Sequence, residues 1–217
     1  MPDKAATTTS WKKLIAAGYD RVGERYLKWT IKSQPRLVYL RKLVDLLPAE
    51  GGEVLELGCG AGLPVTRALA ERCNVTGIDI SAEQIGKARR AVPDGNFLCA
   101  DMMAITYPPE SFDAVVAFYS ITHLPRSEHL VLLSRIASWL RPSGWFVASL
   151  GSQEVIDVVV DDWLGAPNFF SHFDAATNLR LLGQAGLEVV EHAILPQDEE
   201  GEEDVEFLWV IARKQCK

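Results

Sequence analysis

The residues Glu53-Val54-Leu55-Glu56-Leu57-Gly58-Cys59-Gly60-Ala61-Gly62 join a short apolar run to a glycine-rich turn. The apolar run has the length and composition of a buried strand, and Pro64 with the alanines and leucines after it indicates a helix. Glycine has no Cβ and adopts positive φ at little cost, so such a turn lets the backbone approach a ligand closely. The pattern predicts a strand, a turn and a helix around a bound molecule.

The spacing of these glycines distinguishes two kinds of ligand. A dinucleotide fingerprint reads G-x-G-x-x-G, whereas the spacing from Gly58 is G-x-G-x-G, with Leu63 in place of the last glycine. The run instead resembles the first motif of the class I S-adenosylmethionine-dependent methyltransferases. The resemblance implies that the turn lies under the methionine and ribose part of the cofactor, with Glu56 close to its amino group. The cofactor-binding residues expected in the turn are Gly58, Cys59, Gly60 and Gly62.

A carboxylate follows the second predicted strand, residues 74–79. Asp79 stands about twenty residues after Gly58, where an acid can accept hydrogen bonds from both ribose hydroxyls. A lone Asp at a strand end is often a helix cap, but Ser81 can serve as the cap here. The position therefore favours an adenosyl ligand over a generic strand-to-helix turn, which three glycines alone leave open.

Further cofactor contacts are implied by the same resemblance. Ile80 is expected to lie against one face of the adenine, Asp101 to bond its amino group, and the Met102 amide to meet a ring nitrogen. Ala117 and Phe118, which end the predicted strand 111–118, are expected to contact the cofactor as well. The Phe-Asp step into that strand and the later Leu-Arg-Pro-x-Gly turn also recur in the family, so the motifs cover roughly residues 54–150.

The predicted fold class is α/β, a Rossmann-like three-layer sandwich with a seven-stranded, mostly parallel sheet. Leu187 to Leu195 and Val205 to Ala212 read as two strands with a short connection, which forces an antiparallel pair and makes the last strand antiparallel. Residues 1–50 are predicted to form an N-terminal helical cap, and residues 51–217 the S-adenosylmethionine-binding methyltransferase domain. The acidic joint at 196–204 is predicted to be a solvated, mobile hairpin end.

The N-terminal segment is expected to lie over the ligand. Residues 10–47 show a helical pattern that we expect to be interrupted near Gly23 and near Pro35. In the methyltransferases that the chain resembles, a helix in this place closes over the cofactor, with a tyrosine reaching its carboxylate or the substrate. Tyr19, as a cofactor contact, and Tyr26, as a substrate contact, match that arrangement. Ordinary packing of an amphipathic helix is the alternative.

An insertion at about 151–174 is longer than a usual connection and rich in apolar and aromatic residues. Long insertions at the ligand edge tend to form lids that shape a pocket, and an added helix with a buried aromatic face is the alternative. The residues expected to contact the methyl acceptor are Tyr26, Tyr119, Trp163 and Phe170.

Two histidines are candidates for a catalytic base. A methyltransferase must hold donor and acceptor in line and, for a hydroxyl or thiol, help to remove a proton. His123 follows the fourth predicted strand, and His172 lies at the end of the insertion. The unperturbed pKa of histidine is near neutrality, which suits this role, although each could instead cap a helix or bond a carbonyl. No metal is required, and none is expected from the ligand spacing.

Composition limits the class of protein and of partner. The 217 residues, 48% hydrophobic and 24% charged, fit a globular chain with one core. The four scattered cysteines predict reduced thiols, and the lack of a signal-like or long apolar run predicts a soluble, cytoplasmic protein. The net charge of −7 disfavours nucleic acid as a partner, although the first fifty residues carry ten Lys and Arg against five acids. No membrane partner is expected, because no apolar run is long enough to span a bilayer.

The sequence thus predicts an S-adenosylmethionine-dependent enzyme that methylates an O, N or S nucleophile of a small, partly apolar molecule. One alternative is a methyltransferase-like or cyclase-like protein that binds the cofactor without transferring a methyl group. A protein or RNA methyltransferase is disfavoured by the acidic balance, and a nicotinamide-dependent oxidoreductase by the glycine spacing. The oligomeric state is left open.

Overall fold

The computed structural model describes residues 4–197 and 205–215, with side chains from residue 11 onward. Its central sheet has seven strands in the order β3-β2-β1-β4-β5-β9-β8, and β6 pairs with β7 in a separate two-stranded sheet. The strands are β1 Glu53–Leu57, β2 Asn74–Asp79, β3 Asn96–Cys99, β4 Phe112–Ala117, β5 Leu140–Gly151, β6 Val155–Trp163, β7 Ala166–His172, β8 Leu187–Pro196 and β9 Glu206–Lys214. The helices are α1 Lys4–Thr30, α2 Gln34–Leu46, α3 Val65–Ala70, α4 Ala82–Ala91, α5 Arg126–Trp139 and α6 Ala175–Gln184.

The predicted sheet is confirmed. Strands β1 to β5 are parallel neighbours, and β9 runs antiparallel to both β5 and β8. The order reverses between β1 and β4, and open sheets of this type bind ligands at such a switch point, beside the carboxyl ends of the strands. The acidic joint predicted at 196–204 begins at the end of β8, and its residues 198–204 lie outside the described residues.

Alternate residues of the central strands serve two cores. Leu55 and Leu57 of β1 belong to one buried cluster, whereas Val54 belongs to the other, with Val116 and Trp209. Because successive side chains of a strand point to opposite faces, both faces of the sheet are covered by helices and the fold has three layers. Among the described residues, no helix combines the length and apolar character that crossing a membrane requires.

The N-terminal segment differs from the prediction at Gly23. Helix α1 continues through this glycine and ends at Thr30, whereas the expected break before Pro35 is present. A Cβ on Gly23 would lie 1.9 Å from Nε2 of Gln84 in α4, so the missing side chain allows two helices to approach closely. Gln84 uses that approach to donate a hydrogen bond to the Tyr19 carbonyl, at 3.2 Å.

The insertion forms a β-hairpin rather than an added helix. Strands β6 and β7 pair antiparallel, with register shifts on either side of the central pairs. Gly165, with a φ of +95°, lies in the turn. The hairpin packs against α1, where Trp11 stacks on Phe169 with ring centroids 4.8 Å apart. Residues of the N-terminal segment and of the insertion therefore meet above the carboxyl ends of the sheet.

Candidate active site

The glycine turn after β1 is open toward a cleft. The amides of Gly58 and Cys59 both donate to the Ile78 carbonyl, which fixes the turn to β2. Gly58 and Gly60 have positive φ, +79° and +53°. A Cβ at Gly58 would lie 2.4 Å from the Ser120 Cβ, whereas one at Gly60 would meet nothing within 4 Å. The space beside Gly60 is therefore available to a ligand that lies against bare backbone.

Asp79 lies beside this turn at the end of β2. One carboxylate oxygen accepts a hydrogen bond from the Gly60 amide at 2.8 Å, and the other accepts from the Ser81 amide at 2.9 Å. Burial raises the pKa of Asp79 to about 6, and the two amide hydrogen bonds oppose that shift. A carboxylate has about four lone-pair sites, so Asp79 retains capacity to accept from ligand hydroxyls. Ser81 caps α4, as the sequence predicts, by accepting from the Gln84 amide.

A second carboxylate lies below the turn. Glu56 is buried, and its Oε2 accepts from the Thr66 hydroxyl at 2.6 Å. Burial raises the pKa of Glu56 to about 8, while Thr66 and the Arg36 charge oppose the shift. Arg36, also buried, lines the same cleft and donates to the Tyr26 hydroxyl at 3.2 Å. An acid and a guanidinium at this end of the cleft match the amino and carboxylate groups of an amino acid.

The other end of the cleft is lined by Ile80, Asp101 and Met102. One oxygen of Asp101 accepts from the Met103 amide at 2.8 Å, and the other pairs with Lys12 of α1 at 2.8 Å. Lys12 also pairs with Glu128, at 3.1 Å. This ion pair ties the N-terminal helix to the rim of the cleft.

These surroundings fit S-adenosylmethionine. We call the cofactor cleft the joined space lined by Glu56, Gly58, Cys59, Gly60, Asp79, Ile80, Asp101, Met102, Tyr19 and Phe118. Its two parts share Gly58 and Gly60, so one elongated ligand can reach from Glu56 to Asp101. Glu56 and Arg36 suit the methionine group, Asp79 suits the ribose, and Asp101 suits a donor on adenine.

A third cleft, open to solvent, lies between α1, the hairpin and the sheet edge. We call it the acceptor pocket; its lining includes Tyr119, Trp163, Phe170, His123 and His172. Tyr19, Tyr119 and His123 also line the cofactor cleft, and Tyr26 lines every one of the three spaces. The residues expected to contact cofactor, acceptor and proton are thus together at one junction.

The hydrogen bonds of His123 define its tautomer. Its Nδ1 lies 2.7 Å from the Phe169 carbonyl oxygen, which can only accept, so Nδ1 carries the proton. Nε2 is then the acceptor, and the Tyr19 hydroxyl donates to it at 2.8 Å. Burial lowers the pKa of His123 to about 4 and raises that of Tyr19 well above its ordinary value. At neutral pH the pair is uncharged, with an unprotonated acceptor nitrogen behind a tyrosine hydroxyl.

His172 occupies a different place. Its Nδ1 donates to the Gln153 carbonyl at 2.8 Å, and burial lowers its pKa. It lines the acceptor pocket but not the cofactor cleft. Of the two histidines expected to be catalytic, His123 alone therefore adjoins both spaces.

Two residues expected to bind the cofactor line neither part of its cleft. Gly62 has a φ of +76°, and a Cβ there would meet Ala88 and Val92, so it allows the turn to pack on α4. Ala117 is fully buried in the core beneath the sheet. Their positions indicate packing roles, and the proposed site does not include them.

Other lining residues were not anticipated from the sequence. Lys12, Arg36 and Trp29 line the clefts from the N-terminal helices. Basic and aromatic residues are common on helices, and only the direction in which each helix docks brings these three to the site. The excess of Lys and Arg in the first fifty residues was the one relevant signal.

Comparisons with known proteins agree with this geometry. A family described as a methyltransferase domain matches residues 54–144. The 27-O-demethylrifamycin SV methyltransferase of Amycolatopsis mediterranei is 39% identical over 111 residues, 48% of this chain and 40% of that protein. The phosphatidylethanolamine N-methyltransferase of Cereibacter sphaeroides is 32% identical over 139 residues, 58% of this chain and 65% of that protein. The chain thus spans about half the length of these relatives.

The fold has a solved counterpart. The 1,6-didemethyltoxoflavin-N1-methyltransferase of Burkholderia thailandensis, solved with 1,6-didemethyltoxoflavin and S-adenosylhomocysteine, superimposes with a TM-score of 0.76. It is 18% identical, and the match covers 100% of this chain and 92% of that one. Three observations indicate the same fold: the motifs quoted from the sequence, the order of the strands in the sheet, and the family match. Together they support the assignment of residues 54–144 to a methyltransferase domain of the class I S-adenosylmethionine-dependent type.

Proposed function

We propose that this protein transfers a methyl group from S-adenosylmethionine to a small-molecule acceptor. The observation that carries the proposal is the junction at Tyr19, Tyr26, Tyr119 and His123, where the cofactor cleft opens on the acceptor pocket. Methyl transfer requires two ligands to meet in line, and two adjoining clefts with shared walls permit this. The two relatives are named for methylation at different atoms, one at oxygen and one at nitrogen. Their names therefore leave the acceptor atom open, and it has to be inferred from the residues of this chain's own site.

Each binding residue has a stated role in the proposal. Glu56 and Arg36 hold the methionine end, Asp79 accepts from the ribose hydroxyls, and Asp101 accepts from the adenine amino group. Bound S-adenosylmethionine supplies a methyl group on a sulfonium, which needs no further activation as a leaving group. The protein's work is then to orient the two ligands, exclude water and accept a proton.

Proton removal is assigned to the Tyr19–His123 pair. The Tyr19 hydroxyl donates to His123 Nε2 and its oxygen interacts with the Asn168 side chain, so one oxygen lone pair remains for an acceptor's O–H or N–H. When the Tyr19 oxygen takes a proton from the acceptor, the original hydroxyl proton of Tyr19 moves to Nε2 of His123. The Phe169 carbonyl supports this transfer, since it stabilises the Nδ1–H of the imidazolium that forms.

The test is the transfer of an isotopically labelled methyl group. Protein stripped of bound ligand is incubated with methyl-labelled S-adenosylmethionine and a panel of phenols, amines, thiols and carboxylates, and products are analysed by mass spectrometry. The proposal predicts label in at least one acceptor, together with one S-adenosylhomocysteine for each product. Binding of S-adenosylhomocysteine without label in any acceptor would favour a cofactor-binding protein that transfers nothing. The cytoplasmic location, the division at residue 50 and the absence of a nucleic-acid partner stay predictions from the sequence.

A further inference from the structure

The residues that line the acceptor pocket indicate the chemical class of its ligand. On β6, Val158 and Val160 are 43% and 38% exposed, and both line the pocket. A contiguous apolar patch marks a binding surface, whereas single exposed apolar side chains are common on any surface. Here the two valines face a cleft, and an apolar wall in a cleft indicates an apolar ligand.

Aromatic rings form much of the remaining wall. Trp163 lies at the centre, with ring centroids of Tyr19, Tyr26 and Phe170 at 5.6, 5.7 and 5.7 Å. These rings come from α1 and the hairpin. On the sheet side, Tyr119 packs edge-on against Phe207 at 4.8 Å, and both line the same pocket. Because aromatic rings line both sides of the pocket, the pocket favours a ligand with a flat ring system. The face of such a ligand can stack on these rings, and its edges can meet theirs.

Charge restricts the ligand further. Among the described residues that line the acceptor pocket there is no Lys or Arg, and Glu206 is the one acid, exposed on β9. A carboxylate or phosphate placed against this wall would lose water without gaining a cationic partner, and an unpaired charge is costlier to bury than an unpaired neutral polar group. The pocket therefore favours a neutral acceptor.

The polar groups at the junction indicate which atom reacts. The Tyr26 hydroxyl accepts from Arg36, and the Tyr119 hydroxyl bonds Ser33 at 3.1 Å. The Tyr19 hydroxyl instead donates to a neutral imidazole, so its oxygen is placed to accept from a ligand donor. An aryl hydroxyl needs to lose its proton to become a strong nucleophile, whereas an arylamine attacks through its lone pair.

We propose that the acceptor is a neutral, planar aromatic molecule methylated at a hydroxyl oxygen, held between the Trp163–Phe170 wall and the Tyr119–Phe207 wall. This rests on the proposed function. The acceptor oxygen forms a bond to the methyl carbon as the carbon–sulfur bond breaks, and the proton of the hydroxyl passes to the Tyr19 oxygen as the Tyr19 proton passes to His123. The products are a methyl ether, a neutral thioether and a protonated His123, so the positive charge is conserved.

Four probes of similar size separate the requirements: 2-naphthol, 2-naphthylamine, 2-naphthoic acid and the saturated alcohol trans-2-decalol. Their dissociation constants are measured by calorimetry with S-adenosylhomocysteine at saturation, and methylated products by mass spectrometry with S-adenosylmethionine. We expect 2-naphthol to bind about tenfold more tightly than decalol, the scale of one or two aromatic contacts, and to yield the ether. We expect naphthoate to bind at least about tenfold more weakly than naphthol, because its charge gains no cationic partner. Naphthoate or decalol binding as tightly as naphthol would overturn the proposal, as would a methylated amine without a methyl ether.

Two variants locate the effect in the aromatic wall. Trp163→Leu removes the central ring, and we expect it to weaken 2-naphthol binding about tenfold. Ile156→Ala on the same strand is the control, because Ile156 is 59% exposed and is not among the residues that line the pocket. Equal naphthol affinities in the two variants would overturn the proposal. If S-adenosylhomocysteine itself does not bind, the proposed function fails; if it binds and naphthol does not, this inference alone fails.

Discussion

At the scale of single residues, the site depends on a few polar groups whose partners set their protonation. His123 is neutral because it is buried, and its tautomer is set by a backbone carbonyl. Asp79 and Glu56 are acids whose pKa values burial raises toward the working pH. Perturbed ionisable groups gathered at a cleft are typical of functional sites. The consequences can be measured one residue at a time.

Replacement of His123 by Ala removes the group that receives the proton. We expect kcat with a hydroxyl acceptor to fall by about 10² to 10⁴, the usual contribution of a general base, while S-adenosylhomocysteine affinity changes little. His192→Ala, on an exposed position of β8, is the matched control and should leave kcat unchanged. His172→Ala should cost much less than His123→Ala. A larger loss for His172→Ala would assign the base to the hairpin instead.

The affinity for S-adenosylhomocysteine should depend on pH through Asp79. Burial and the nearby Asp20 raise its pKa to about 6, so the free protein holds Asp79 protonated below that pH. Ribose hydroxyls donate to the ionised form and stabilise it, so the ligand binds better as pH rises. We expect the dissociation constant to fall by up to about tenfold per pH unit below pH 6 and to change more slowly above it.

Calorimetric titrations between pH 5 and 7.5 measure this dependence. Glu56, with a pKa of about 8, adds a change of the same sign at the upper end. Asp79→Asn should remove the dependence near pH 6, and a thermal melt checks that the variant folds. A flat profile in the unmodified protein, or the same dependence in the Asn variant, would contradict the assignment of Asp79.

At the scale of secondary structure elements, α1 closes the site. Lys12 pairs with Asp101 and Glu128, and Asp20 accepts from the Ser81 hydroxyl at 2.5 Å. Tyr19 bonds His123 from the same helix. These contacts follow one another along the helix, and two of the partners, Asp101 and His123, line the cofactor cleft. The close approach of α1 to β7 depends on Gly18, where a Cβ would lie 2.9 Å from the Pro167 carbonyl oxygen.

Gly18→Ala tests this approach. Alanine favours a helix over glycine by about 1 kcal/mol, but overpacking against fixed backbone costs about 1 to 3 kcal/mol, so the free energy of unfolding should fall. Gly183→Ala in α6 is the matched control, since a Cβ there meets nothing within 4 Å, and it should raise stability by up to about 1 kcal/mol. Urea unfolding measures both. A Gly18→Ala variant as stable as Gly183→Ala would show that α1 does not pack tightly on β7.

At the scale of the whole molecule, the cofactor should tighten the parts that enclose it. Residues of α1, the glycine turn and the loop after β4 line one continuous space, whereas β8 and β9 pair on the far side of β5. We expect S-adenosylhomocysteine to slow amide hydrogen exchange in residues 11–30 and 57–62 much more than in β8. Mass spectrometry of peptic peptides measures this. Uniform slowing across all peptides would indicate global stabilisation rather than closure of α1.

The sequence predicted the sheet because its signals are local. The glycine turn and the acids at strand ends depend on a few adjacent residues, and parallel topology follows from strands that alternate with helices. The path of α1 through Gly23 was not predicted, because a glycine that breaks a helix and one that lets Gln84 approach look identical in sequence. The sequence left the structure of the insertion undecided for a similar reason, because apolar β-branched runs fit a buried helix as well as a strand. Arg36 and Lys12 reach the site through helix docking; the excess of basic residues in the first fifty indicates their charge but not which of them point to the site.

The central claim is that the backbone near Gly60 and the carboxylate of Asp79 hold one adenosyl ligand. Calorimetric titration of ligand-stripped protein with S-adenosylhomocysteine tests it most directly. One molecule should bind per chain, and Asp79→Ala should weaken that binding by about 10 to 100-fold, the scale of hydrogen bonds to a charged group. No binding to the unmodified protein, or binding that Asp79→Ala leaves unchanged, would contradict the claim.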